Sequence, residues 1–222
     1  MWQQLYDELK DRNFTVIAIA MESRGEAAAR PWIEAAKVTY PALIDAEHIV
    51  ADLYNMVNVP QAVWIDERGR IVRPPESAGS VDYFRRMDRQ TRQLPPDAVS
   101  LKEESRKRYL DAVRDWVIKG EASPHAFDAA GAAAHVALPT PEIARAHVLF
   151  RLGRHLYRKG QAAEADEHLA EASRLHPDSW NIWRQAGDLR LDGKPNSDAF
   201  WQRVDALGQR RYYQKIDMAG MP

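Results

Sequence analysis

The chain contains no cysteine in its 222 residues. This excludes disulfides, thiolate catalysis and thiolate metal sites built from its own side chains. It also lacks any apolar run near the roughly 20 residues that a membrane helix requires. The opening Met-Trp-Gln-Gln-Leu-Tyr-Asp-Glu-Leu-Lys has no basic start followed by an apolar stretch, so it does not read as a signal peptide. No glycine-rich run follows a strand-like segment, and no phosphate loop or other cofactor site is expected. Excess charge of either sign is missing as well: 31 Lys and Arg against 32 Asp and Glu leave a net charge of −1. That balance favours neither nucleic acid nor a membrane surface as a partner. As written, the chain is expected to be cytoplasmic, or exported if its true N-terminus lies upstream of Met1.

What is present is ordinary soluble-protein composition, with 45% hydrophobic and 28% charged residues, enough for one or two domains with a real core. Residues 1–11 read as a helix with Trp2, Leu5, Tyr6 and Leu9 on one face. Phe14 to Ala20 is a continuous apolar, β-branched run, expected as a strand buried on both faces. A helix is expected over 25–37 with Trp32, Ile33 and Ala36 inward, a short extended piece over 41–45, and a helix over 46–56 with Ile49, Val50, Leu53 and Tyr54 inward. Gln61–Asp66 and Arg70–Arg73 read as two strands joined through Glu67-Arg68-Gly69. Ser80 reads as the cap of a helix running to about Leu94. Alternating strand and helix is an α/β pattern.

Pro74-Pro75 and Pro95-Pro96 punctuate this pattern, and no strand is expected beyond them. Helices are expected over 101–119, 125–135, 141–159, 161–175, 179–191 and 197–212. The expected division is therefore residues 1–96 and residues 97–222. The second part carries an internal period of 34 residues: Gly153 returns as Gly187, Ala165 as Ala199, Ala172 as Ala206, and Val148-Leu149 as Ile182-Trp183. Small residues at fixed places let paired helices approach closely. The pattern resembles tetratricopeptide repeats, covering 146–179 and, with Arg190 and Arg203 at apolar places, 180–213. Its expected core is Leu149, Leu152, Leu156, Ala165, Leu169, Ala172 and Trp183. A protein or peptide partner on these repeats is the expected interaction.

Residues 1–94 resemble the redoxin branch of the thioredoxin superfamily, the group of alkyl hydroperoxide reductase, thiol-specific antioxidant and TlpA-type reductases. The resemblance rests on Phe14–Met21, on Tyr40-Pro41-Ala42-Leu43-Ile44-Asp45, on Val57-Asn58-Val59-Pro60 and on Trp64-Ile65-Asp66-Glu67-Arg68-Gly69-Arg70-Ile71. It implies an α/β thioredoxin-like domain ahead of the all-α part, in a lineage of thiol–disulfide oxidoreductases and peroxide-reducing antioxidants. In that family a cysteine at a helix N-terminus is activated by the helix dipole. The proline corresponding to Pro60 is cis and faces the cysteines, and the residue before it, here Val59, offers its backbone to a bound peptide. Val59 and Pro60 are therefore the expected peptide-binding residues, and no catalytic residue is expected.

The same resemblance places the cysteine-bearing strand before Met1, between the strands at 14–20 and 61–66, so the chain reads as N-terminally truncated. An incomplete sheet follows. The exposed edge is expected to be open, closed directly by 61–66, or covered by another chain, which makes self-association possible. Thiol activity is expected to be absent from the chain as given. The alternative is a cysteine-free, non-catalytic binding module.

Other constellations have plainer readings. His147 and His155, like His168 and His176, are eight apart and are expected to face solvent rather than hold a metal. Asp45 and Glu47, beside His48, sit where a helix begins, which suits capping. Trp180, Trp183 and Trp201 read as repeat core. Arg85, Arg86, Arg89 and Arg92 read as a solvated basic face, with an acidic partner as the rival.

Overall fold

A computed structural model of this chain describes residues 1–189 and 198–222. They fall into two compact units: Met1–Thr15, Pro60–Val136 and Arg203–Pro222 form the first, and Val16–Val59 with Ala137–Gln202 form the second. These units interleave along the chain and do not coincide with the expected division near residue 96. The reason lies in one helix. α4 (Pro96–Lys119) begins at the proline pair itself, with Pro96 in its first turn, where a missing N–H costs nothing. Its buried Ala98, Ser105, Tyr109, Ala112 and Val113 repeat at helical spacing. Tyr109, Ala112 and Val113 enter one core with Leu5 and Leu9 of α1 (Trp2–Leu9), with Trp64 of β3 (Gln61–Ile65) and with Val72 of β4 (Ile71–Ser77).

In the first unit β3 and β4 pair antiparallel, with Gln61 opposite Ser77 and Ile65 opposite Ile71. β4 runs on through Pro74-Pro75, which were expected to break it; prolines are tolerated in a strand that has a free edge. The Trp64 indole N–H donates to the Tyr109 hydroxyl at 2.9 Å, so both polar tips are satisfied inside the core. The expected helix from Ser80 to Leu94 is instead a short 3₁₀ turn, Asp82–Arg86, followed by irregular chain. Its side chains serve the C-terminal segment. The Asp82 carboxylate accepts from the Tyr212 and Tyr213 amides, both at 2.9 Å, and Arg85 donates to the Gly208 and Arg210 carbonyls, also at 2.9 Å. Arg89 pairs with Asp205 and Arg86 with Asp97. Arg85, Arg86 and Arg89 thus find side-chain partners within the chain rather than forming one helical basic face.

After α9 (Asp198–Asp205) the chain is irregular, not helical to 212 as expected. It still buries Tyr212, Ile216, Met218 and Met221 in the first unit's core. The expected helix at 125–135 shrinks to α5 (Ala129–Ala134), where the Asp128 carboxylate caps by accepting from the Gly131 amide.

The second unit holds β1 (Ala18–Ala20) and β2 (Ala42–Ile44), paired in parallel with Ala18 opposite Ala42. The described residues therefore contain two separate two-stranded sheets rather than one. The run Phe14–Ala20 is a strand only in its last three residues, and it is not buried on both faces, since Ile17 is more than half exposed. Around the sheet lie α2 (Glu26–Ala36) and α3 (Ile49–Leu53). Four inward expectations fail here, exposed Ala36 among them. Trp32 is 79% exposed, Leu53 is 78% exposed and Ile49 is more than half exposed. Such short helices bury little, and what they bury is alanine: Ala29 in α2 and Ala51 in α3.

α6 (Pro141–Arg158), capped by Thr140, packs against α7 (Ala162–Leu175), and α8 (Trp180–Leu189) follows. The core contains Ala146, Phe150, Leu169, Ala172 and Ile182, with Leu149 partly buried against it. Leu156 and Ala165 are buried too, as expected, while Leu152 is 39% exposed. Gly153 lies at the closest approach of α6 and α7: a Cβ there would stand 2.7 Å from the Leu169 Cγ and 3.1 Å from the Ala165 carbonyl. Trp180 and Trp201 are buried, Trp180 edge-on to Phe200. Residues 190 and 191 of the expected helix, and Gly193, lie outside the described residues, as does part of the expected repeat 180–213.

Candidate functional site

The Val59–Pro60 loop is the site expected from the sequence. Its backbone is pinned from the start of α8. The Asn181 amide N–H donates to the Val57 carbonyl at 3.0 Å, and its side-chain amide donates to the Met56 carbonyl at 2.7 Å. Asn58 is buried, and its carboxamide oxygen accepts from the Val59 N–H at 2.9 Å. Val59, 40% exposed, closes the second unit. Pro60 opens the first unit, exposed, with its carbonyl accepting from the Ala78 N–H at 3.2 Å.

A second constellation lies wholly within the second unit, built from residues that the sequence pointed to as capping or solvent-facing groups rather than as one site. Asp45 does cap α3: its two carboxylate oxygens accept from the Ile49, Val50 and Ala51 amides at 2.9, 2.8 and 3.3 Å. This anchors the turn that carries His48 in a left-handed conformation, φ 54°, at the head of the helix. The His48 ring is buried, stands edge-on to Phe150 and lies 3.0 Å from the Ser23 hydroxyl through Nε2. Burial, reinforced by the Arg154 cation, pushes His48 down to about 4.

On α6, His147 Nδ1 stands 3.3 Å from Asp52 of α3, and its ring meets that of His176 with centroids 5.8 Å apart. His176 ends α7, is buried, and its Nε2 has no hydrogen-bond partner. Burial lowers both imidazoles; Arg151 adds to this for His147, and His147 adds to it for His176. Both rings were expected to face solvent. Pairing between α6 and the α7 terminus removes them from it. His48, Asp52, His147 and Arg151 line a cavity of about 10 Å³, the room of one water molecule.

This arrangement is poor in chemistry and rich in buried polarity. A base near 4 is too weak to take a proton from the Ser23 hydroxyl efficiently at neutral pH. Among the described residues, no three His, Asp or Glu side chains converge as a metal-binding set. Arg154, one α6 turn after Phe150, is also buried; its Nη2 donates to the Ala46 carbonyl, while Nε and Nη1 have no hydrogen-bond partner. Its spacing from Phe150 placed it on the apolar stripe of α6, a signal the sequence did carry.

With the geometry in place, comparison with known families adds one finding. Residues 1–73 match the model of the AhpC/TSA family. The N-terminal third is therefore redoxin-like, as its motifs suggested, and the match ends within β4 of the first unit. No curated protein and no solved structure matches the chain. No helix among the described residues is long and apolar enough to cross a membrane.

Proposed function

We propose that residues 1–96 descend from a thioredoxin-like lineage of thiol–disulfide oxidoreductases or peroxide-reducing antioxidants, and that these 222 residues carry no thiol chemistry of their own. One conjunction supports the reading: a redoxin match over residues 1–73 in a chain without a single cysteine. The thiolate is the nucleophile of that chemistry, and the Ser23 hydroxyl beside a weakly basic imidazole is no substitute. The test is turnover by the pure chain of insulin disulfides with dithiothreitol and of hydrogen peroxide. Both rates are expected at background. Robust turnover in either assay overturns the proposal.

A second reading is a non-catalytic module that binds a protein or peptide, with Val59 and Pro60 and the tetratricopeptide-like helices of 97–222 as contact surfaces. The exposed Val59 side chain on a firmly held loop favours it. Binding of a peptide library that weakens on Val59→Asp supports it; a library without a single saturable binder counts against it.

A further inference from the structure

Three histidines of the second unit remain without a role: His48 at the head of α3, His147 on α6 and His176 at the end of α7. His48 and His176 are buried and His147 is partly buried, and they sit where separate elements meet. We propose that His48, His147 and His176 form an acid-sensitive latch, which holds α3, α6 and the α7–α8 turn together while neutral and releases them when protonated.

The geometry carries the idea. A neutral His48 needs one partner per ring nitrogen, and it has the Ser23 hydroxyl at 3.0 Å and the Gln185 side chain of α8. Protonated, it would be a buried cation facing the Arg154 guanidinium, with the Asp45, Glu22 and Glu47 carboxylates acting in its favour. Asp45 is already engaged by three amides of α3. His176 is the sharper case. Its Nε2 is buried without a partner, so an added proton would be a buried donor with nothing to accept it. The His147 ring lies edge-on to it, centroids 5.8 Å apart, and would repel it once charged too, while the Asp178 carboxylate acts in its favour. His147 faces Asp52 from α3, which favours its charge, and Arg151 from its own helix, which does not.

All three imidazoles are therefore harder to protonate in the folded unit than in the unfolded chain. The unfolded state binds more protons below the ordinary histidine value. Stability contributed by the latch is complete above pH 6.5 and is lost as pH falls from there toward 4. With 6.5 unfolded and about 4 folded, His48 by itself moves the unfolding equilibrium roughly 30-fold toward the unfolded state at pH 5.

Two measurements on the full chain test this. The Cε1 proton shifts of its seven histidines, followed against pH by NMR, should show three rings titrating below the ordinary value, His48 lowest near 4. Urea unfolding at about pH 7.5 and about pH 5, read by segment-resolved amide exchange, should show α3, α6 and α7 losing protection at the lower pH. His48→Gln should remove a large part of that loss. The latch is overturned if all seven rings titrate at or above 6.5, or if a folded His48→Gln chain keeps the full acid sensitivity. Should His48→Gln fail to fold, the wild-type titration decides the matter alone.

Discussion

Among the described residues each unit buries one arginine, and the two are treated very differently. Arg73, in β4 of the first unit, is 1% exposed, and four of its five guanidinium N–H donors are used: Nε and Nη2 each donate to the Glu76 carboxylate at 2.8 Å, Nη1 to the His125 carbonyl at 2.7 Å, and Nη2 again to the Asp217 carbonyl at 2.8 Å. Its planar face lies over the Trp64 and Phe127 rings. Arg154, in α6 of the second unit, is 2% exposed with one hydrogen bond, to the Ala46 carbonyl. Its nearest carboxylate, on half-exposed Glu47, stands 3.7 Å away. Burying a guanidinium is expensive, and only a nearly full set of acceptors offsets that cost. Arg73 is therefore a structural hub, joining β4, the 125 loop and the C-terminal segment, whereas Arg154 is buried with two of its three guanidinium nitrogens without a hydrogen-bond partner. The first unit is organised around satisfied polarity, and the second carries polarity it does not satisfy.

Three substitutions test that contrast and the packing beside it. The largest effect belongs to Gly153→Leu. The helices leave no room for a Cβ, since Leu169 and the Ala165 carbonyl already occupy it, so α6 and α7 should separate and lose amide-exchange protection altogether. A folded variant with native protection in α7 would show that the close approach is dispensable. Next comes Arg73→Met. It strips the partner from the largely buried Glu76 and releases the Asp217 carbonyl, at an expected cost of about 3–5 kcal/mol in urea unfolding. Residues 206–222 should be the first to lose protection. Smallest is Arg154→Met. The solvated Glu47 is left with Arg158 as its partner and an apolar side chain takes the buried space, so stability should stay within about 1 kcal/mol of the wild type or rise. Equal losses for Arg73→Met and Arg154→Met would erase the distinction between the units.

Much of the local structure was legible. The spacing of Leu5 and Leu9, of Tyr109, Ala112 and Val113, and of Leu169 and Ala172 follows the helical period, and those residues are buried. The recurrence of Gly153 and Ala165 pointed to a tight helix crossing, which the Gly153 surroundings display. Errors gathered where short elements depend on distant ones. Trp32, Ile49 and Leu53 lie on apolar faces of short helices that meet too little of the unit to be covered. Pro74-Pro75 and Pro95-Pro96 looked like breaks because proline removes a donor. A strand with a free edge and a helix's first turn have no use for that donor.

The sequence by itself determined the absence of cysteine, the redoxin character of the first 73 residues, the helical character of the chain beyond the proline pairs, and the glycine at the α6–α7 crossing. Each of these depends on composition, or on residues within a few turns of one another. Only the tertiary structure decided that the units interleave, that the strands pair as two separate ladders, and that Arg73, His48 and His176 are buried. Those outcomes depend on groups such as Arg73 and Asp217, or Ser23 and Gln185, more than a hundred positions apart and brought together by folding. No local pattern encodes which distant acceptor a buried donor will meet.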